Sequence, residues 1–316
     1  MMLRDYQQRS INQLYDWLSN NSGNPCLVLP TGAGKSHVIA ALCKDALQSW
    51  PETRILMLTH VKELIAQNAE KMRQHWPNAP LGIYSAGLKR KELGEPITFA
   101  GIQSVRTKAK QIGHIDIAII DECHLVAHKD EGGYRTLLAD LTAINSNLRI
   151  VGLTASPYRL GHGYITDDPA IFDALIEPVS LEELIHKNYL SILRSKITRT
   201  KLEVEGVHKR GGEYIESELQ AAVDTSDKNR LVAAEIVRLG HNRKSWLVFC
   251  AGVDHAQHIA EALNSEANPV ATVKKVDAGA DQAFAYPWIL SQSANSSTVS
   301  RTANGDAESS AARGCA

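Results

Sequence analysis

The sequence predicts an α/β protein built on a parallel β-sheet with helices packed on both of its faces. Three observations carry that expectation. Short apolar runs recur as far as Leu153, helical amphipathic stretches separate them, and the runs are continuously apolar rather than alternating. Strands buried on both faces read this way, and helices are the usual connection between parallel strands.

Each element has its own signal. Asp5 is a candidate N-cap with Gln8 three residues on, and Ile11, Leu14, Tyr15 and Leu18 share one face of a first helix. The polar stretch Asn20 to Asn24 ends it. Cys26 to Leu29 reads as a strand, followed by a Gly-rich turn and a helix through Val38, Ile39, Leu42 and Leu47. Ile55 to Leu58 is the next strand and Val61 to Trp76 the next helix. Leu81 to Tyr84, Ile97 to Ala100, Ile115 to Ile120 and Arg149 to Leu153 are further strands, the last preceded by a helix at Tyr134 to Ile144. Gly and Asp between Pro157 and Asp168 predict a loop, and Leu181 to Leu190 a helix leaving the domain. Trp17, Trp50, Trp76 and Trp246 fall on helix or strand positions and read as core.

A charged stretch, Lys201 to Glu213, precedes a second α/β pattern: a helix at Asp227 to Leu239, a strand at Trp246 to Cys250 and a helix at His255 to Leu263. Beyond Asn264, Ala, Ser, Asn and Thr dominate and only Phe284 to Leu290 is appreciably apolar. The predicted organisation is a complete first domain at 1–191, a partial second domain of the same kind at 192–264, and a low-order tail at 265–316.

A chain of 316 residues with 44% apolar content suits two domains with real cores. A net charge of −1 excludes a global basic field, so nucleic-acid binding would rest on local clusters such as Lys89-Arg90-Lys91 or Lys108 with Lys110. The five cysteines show no C-x-x-C pair or metal-ligand spacing. With no signal-peptide pattern and no membrane-length apolar run, the expected location is the cytoplasm, with no membrane partner.

Two motifs carry chemistry. Pro30-Thr31-Gly32-Ala33-Gly34-Lys35-Ser36 follows a buried strand and opens a helix. Glycines there let backbone N–H groups turn in on phosphate oxygens, with the helix dipole behind them. Lys35 is placed to reach the β- and γ-phosphates and Ser36 to bind Mg²⁺. Leu29 stands where the strict phosphate-loop pattern has Gly. The second motif, Asp121-Glu122-Cys123-His124, lies at the end of another strand, where ligands of open parallel sheets bind. Asp121 is a candidate for holding Mg²⁺ and Glu122 a candidate general base for the attacking water. Both motifs together predict an ATP site on a phosphate-loop NTPase.

On these residues the chain resembles the superfamily-two helicases, whose RecA-like fold the resemblance implies for both domains. Asp121 to His124 resembles their acidic motif. Leu3-Arg4-Asp5-Tyr6-Gln7 resembles the motif in which a Gln, here Gln7, reads the adenine edge, with Arg4 nearby. Thr59-His60 with Glu63 to Gln67, and Gly101-Ile102-Gln103-Ser104-Val105, resemble motifs that touch the nucleic-acid strand. Thr154-Ala155-Ser156-Pro157 resembles the motif coupling hydrolysis to domain movement, with His124 linking the site to Thr154 and Ser156. Trp246 to Cys250 resembles the first strand motif of the second domain.

Within the superfamily the chain is similar to the bacterial RadD type of DNA-repair ATPase. The similarity implies DNA-dependent ATP hydrolysis in repair and recombination, a nucleoid-associated location, and single-stranded or branched DNA and single-strand-binding protein as partners. An RNA helicase, or a non-catalytic fragment that binds ATP and nucleic acid, are the alternative readings. The family's late Gln-x-x-x-Arg-x-x-Arg motif has no match after residue 264. An arginine finger contributes about 10³ to 10⁵ in turnover in related enzymes, so slow hydrolysis is expected of this chain.

Overall fold

The computed structural model describes residues 3–60, 62–126, 133–159, 163–167, 170–210, 213–243, 245–266, 271–275 and 286–292. The chain divides into two compact units, Met1–Leu190 and Ser191–Ala316.

The first unit runs α1 (Asp5–Asn20), β1 (Pro25–Val28), α2 (Lys35–Ser49), β2 (Ile55–Thr59), α3 (Lys62–His75), β3 (Leu81–Ser85), β4 (Arg90–Lys91), β5 (Ile97–Gly101), α4 (Ile102–Val105) and α5 (Ala109–Ile112). It continues with β6 (Ile117–Asp121), α6 (Gly133–Ile144), β7 (Arg149–Thr154), β8 (Tyr158–Arg159), β9 (Gly163–Tyr164), β10 (Ala174–Ile176) and α7 (Leu181–His186). Eight strands form one sheet in the order β10-β1-β7-β6-β2-β5-β3-β4, parallel throughout except for β4.

Period two in the strands feeds two separate cores. Leu27, Leu29, Ile55, Met57, Ile119, Val151 and Leu153 face one side, where Leu14 of α1, Val38 and Leu42 of α2 and Ile65 of α3 cover them. Cys26, Val28, Leu56, Leu58, Ile120 and Ile150 face the other, under Leu137, Leu138 and Leu141 of α6 and Phe172. Gly152 of β7 is required on that second face. A Cβ there would lie 2.7 Å from the Phe172 ring and 2.8 Å from Cys123 Sγ.

The structure corrects the sequence in several places. Arg4, not Asp5, is the N-cap of α1, and Gln7, not Gln8, returns to it: the Arg4 N–H donates to Gln7 Oε1 at 3.0 Å. Asp5 instead pairs with Lys187 at 2.6 Å, and Arg9 grips both carboxylate oxygens of Glu183 at 2.8 and 3.0 Å. Together these fasten α1 to α7. That last helix stops at His186, short of Leu190, because Asn188 takes a left-handed backbone (φ 58°). The predicted loop after Pro157 contains the β8–β9 hairpin, and β10 lines the sheet edge beside β1. Trp50 caps the end of α2 and is 59% exposed, not core.

The second unit contains β11 (Lys209–Arg210), β12 (Glu213–Tyr214), α8 (Glu216–Val223), α9 (Ser226–Gly240), β13 (Ser245–Cys250), α10 (Val253–Glu266), β14 (Ala271–Lys275) and β15 (Tyr286–Gln292). Ala233 of α9 and Ile259 and Leu263 of α10 build its small core with Cys250. The low order expected after residue 264 is interrupted by two strands, β14 and β15. The β13-β15-β14 sheet is antiparallel, with Trp246 opposite Leu290 and Val248 opposite Trp288. β15 overlaps Phe284 to Leu290, the run of the tail that the sequence marks as apolar. The rest of the 265–316 tail lies outside the described residues. Among the described residues no helix is long and apolar enough to cross a membrane.

Candidate nucleotide-binding site

Because β1, β7, β6, β2 and β5 are adjacent and parallel, their carboxyl ends share one edge of the sheet. Residues 30–36 follow β1, Thr154 ends β7, Asp121 ends β6, Thr59 ends β2, and Gln103 and Ser104 follow β5. The topology therefore brings residues far apart in sequence to one rim, with the expected nucleotide residues after β1 and at β6, the expected coupling residue at β7 and the expected strand contacts at β2 and β5.

The loop after β1 depends on two glycines with positive φ, 82° at Gly32 and 80° at Gly34. A side chain at Gly34 would also collide with Gln7, since a Cβ would lie 2.8 Å from its Nε2. Gly34 caps the 15-residue helix α2, which begins at Lys35. Two donors of α1 hold the loop from behind: the Tyr6 hydroxyl and the Gln7 amide both donate to the Ala33 carbonyl, at 2.9 and 3.0 Å. Arg4 lies over the Tyr189 ring at 4.6 Å and donates to the Tyr6 hydroxyl at 3.3 Å. Thr31 is exposed on the loop.

Lys35 Nζ meets Glu122 Oε1 at 2.5 Å, each side chain less than a third exposed. Glu122 sits in the left-handed region (φ 48°, ψ 46°), a strained conformation for a non-glycine residue that turns the chain sharply off β6. Its N–H donates to Asp121 Oδ1 at 3.0 Å. Burial pushes the Asp121 carboxyl above its ordinary pKa, with Lys35 pulling the other way.

A second chain of contacts leads to β7. His124 Nδ1 lies 2.8 Å from Thr154 Oγ1 and 3.4 Å from Glu122 Oε2. Thr154 Oγ1 donates to the Ser156 carbonyl and accepts from the Ser156 N–H. Thr154 Oγ1 thus bridges His124 and the Ser156 backbone.

Asn68 was not visible from the motifs. On α3 it is 7% exposed, donating to Asp121 Oδ2 at 2.9 Å and accepting from Ser36 Oγ at 3.3 Å. Its signal is positional: Ile65, Asn68, Ala69 and Met72 occupy the buried stripe of the helix, and one of them is polar. Ser36 and Asp121 supply a hydroxyl and a carboxylate, the hard oxygen donors that magnesium takes.

The expected strand contacts are less uniform. Thr59 is 1% exposed at the end of a central strand, so its side chain has no surface to offer. His60, next to it, is exposed and stacks on Tyr134 with ring centroids 5.1 Å apart. Gln103 is exposed at the start of α4, and Ser104 Oγ accepts the Ala86 N–H at 2.9 Å.

Comparison with known proteins agrees with this architecture. The family model described as "Type III restriction enzyme, res subunit" matches residues 1–159, just over half of the chain. The chain is 25% identical to a type I restriction enzyme EcoAI endonuclease subunit of Escherichia coli over 284 residues, which is 82% of this chain and 34% of that protein. It is 25% identical over 275 residues to the putative mitochondrial ATP-dependent helicase irc3 of Schizosaccharomyces pombe, 83% of this chain and 43% of the relative. Among solved structures, the UvsW helicase of bacteriophage T4 aligns at 20% identity and a TM-score of 0.44, over 56% of this chain and 61% of its own. The chain thus spans less than half the length of these two curated relatives. With a glycine-rich loop and an acidic pair on one parallel rim, the family match across half the sequence identifies the chain as a member of the type III restriction enzyme res-subunit family of superfamily-two helicases.

Proposed function

We propose that this chain is the Mg-ATP-binding motor core of a DNA-directed ATPase of the RadD type, working in DNA repair and recombination. One observation carries the reading: Lys35, Ser36, Asp121 and Glu122 are joined into a single hydrogen-bonded and ionic group through Asn68 and the Lys35–Glu122 pair. Lys35 turns from Glu122 to the β- and γ-phosphates, which releases Glu122 to accept a proton from the attacking water. Ser36 and Asp121 hold Mg²⁺, whose contribution when bound is neutralisation of phosphate charge. His124, Thr154 and Ser156 report the state of Glu122 to the end of β7. His60, Gln103 and Ser104 meet the nucleic-acid strand on the neighbouring part of the rim, and the Gln7 amide reads the adenine edge.

Residues 1–316 contain no Gln-x-x-x-Arg-x-x-Arg motif, so we expect this chain to bind Mg-ATP and turn it over slowly. The test is equilibrium nucleotide binding with Mg²⁺, together with steady-state ATPase alone, with single-stranded DNA and with RNA. Lys35→Ala should abolish binding at micromolar nucleotide. Unchanged affinity in that variant would overturn the nucleotide site, and stimulation by RNA alone would overturn the DNA assignment.

A further inference from the structure

We infer that Asn68 is the positioning residue for the magnesium ligands, presenting Ser36 and Asp121 to the metal in the orientation that coordination needs. The inference rests on the Mg-ATP reading above and extends it to a residue outside the nucleotide motifs. A serine hydroxyl ligates a cation through an oxygen lone pair, so its proton must point away from the ion and find an acceptor there. Asn68 Oδ1 is that acceptor, 3.3 Å from Ser36 Oγ. The carboxylate must likewise be held so that one lone pair faces the ion. Asn68 Nδ2 takes Oδ2 of Asp121 at 2.9 Å, and the Glu122 N–H takes Oδ1 at 3.0 Å, which fixes the plane of the group.

Only a side chain that donates and accepts at once can serve both ligands, which is what a carboxamide does. Burial removes water as a substitute: Asn68 and Asp121 are each 7% exposed. The reach is also limited. Asn68 stands between Ile65 and Met72, both 1% exposed, on the covered face of α3, so the helix packing sets where the carboxamide lies. A buried polar group in such a stripe costs stability unless it is satisfied, and here both of its partners belong to the expected metal site. Outer-shell partners of this kind are generally worth about 10–100-fold in metal affinity.

The experiment is Mg²⁺ titration of fluorescent-nucleotide binding by the whole chain, with nucleotide affinity measured separately in a metal chelator. Asn68→Ala removes both hydrogen bonds, and Asn68→Leu removes them while keeping the volume, so that α3 stays packed. Both variants should raise the Mg²⁺ concentration for half-saturation about 10-fold or more, with the metal-free nucleotide affinity within twofold of the unaltered chain. Half-saturation unchanged in both variants overturns the inference. So does an equal loss with and without metal, which marks a purely structural role. If the unaltered chain itself shows no Mg²⁺-dependent nucleotide binding, the Mg-ATP reading falls and takes this inference with it. Those results are distinguishable because the last appears before any substitution is made.

Discussion

Glu122 carries the most demanding residue-scale assignment, since it is strained, partly buried and paired with a lysine. Replacing it with Gln keeps shape and hydrogen bonding but removes the proton acceptor. We expect Glu122→Gln to keep Mg-ATP bound while single-turnover hydrolysis falls about 10² to 10⁴-fold, as loss of a general base does. Glu235 gives a prediction in the second unit. It accepts the N–H groups of Arg199 at 2.7 Å and Thr200 at 2.9 Å, and these hold its pKa down from 4.5 to about 2. A lowered folded-state pKa means that the stabilisation is complete above 4.5 and is lost as the pH falls towards 2. Denaturant unfolding followed between pH 6 and 3 should show this loss, and Glu235→Gln should flatten it while weakening the unit at pH 6. At this scale the shared rim of Lys35, Ser36, Asp121 and Glu122 was legible because both motifs follow strands of one parallel sheet. Asn68 was hidden because nothing local distinguishes a ligand-holding amide from any polar residue on a helix.

Within the first unit, the strands of four to six residues were legible and the two- and three-residue strands were not. β8, β9 and β10 are too short to show a period, and their places are set by pairing with distant segments. The cap of α1 was read one residue late because Asp is a good cap by type, yet here Asp5 is drawn into the α7 ion pairs. β7 offers the sharpest packing test. Gly152 leaves room for Phe172 and Cys123 to close over the strand, and the atoms a methyl group would strike are 2.7 and 2.8 Å away. Gly152→Ala should therefore destabilise the first unit by about 1–3 kcal/mol in thermal unfolding, as overpacking does. Wild-type stability in this variant would show that the second core is looser than its geometry implies.

For the whole molecule, the division into Met1–Leu190 and Ser191–Ala316 has a functional corollary. Every residue assigned to nucleotide and magnesium, from Arg4 to Ser156, belongs to the first unit. A fragment ending at Leu190 retains both cores and the α1–α7 ion pairs, so it should unfold cooperatively and bind Mg-nucleotide within about threefold of the whole chain. Calorimetry of the fragment checks both points; a molten fragment without affinity would show that the first unit leans on the rest. The first unit was legible in sequence because long buried strands announce a parallel sheet. The second was less so, because its strand β15 pairs backwards across an intervening polar stretch whose composition says nothing about register.

The Ala33 carbonyl is gripped at once by a phenol and an amide of the first helix. The Gln7 amide nitrogen has two protons and one is spent on this carbonyl, so on the proposed reading a purine would be met by the second. One side chain would then touch both ends of a nucleotide, and a Gln7→Ala change should loosen the loop as well as any hold on the base. The Tyr6 hydroxyl holds the same carbonyl independently, so that change would leave the loop one of its two tethers.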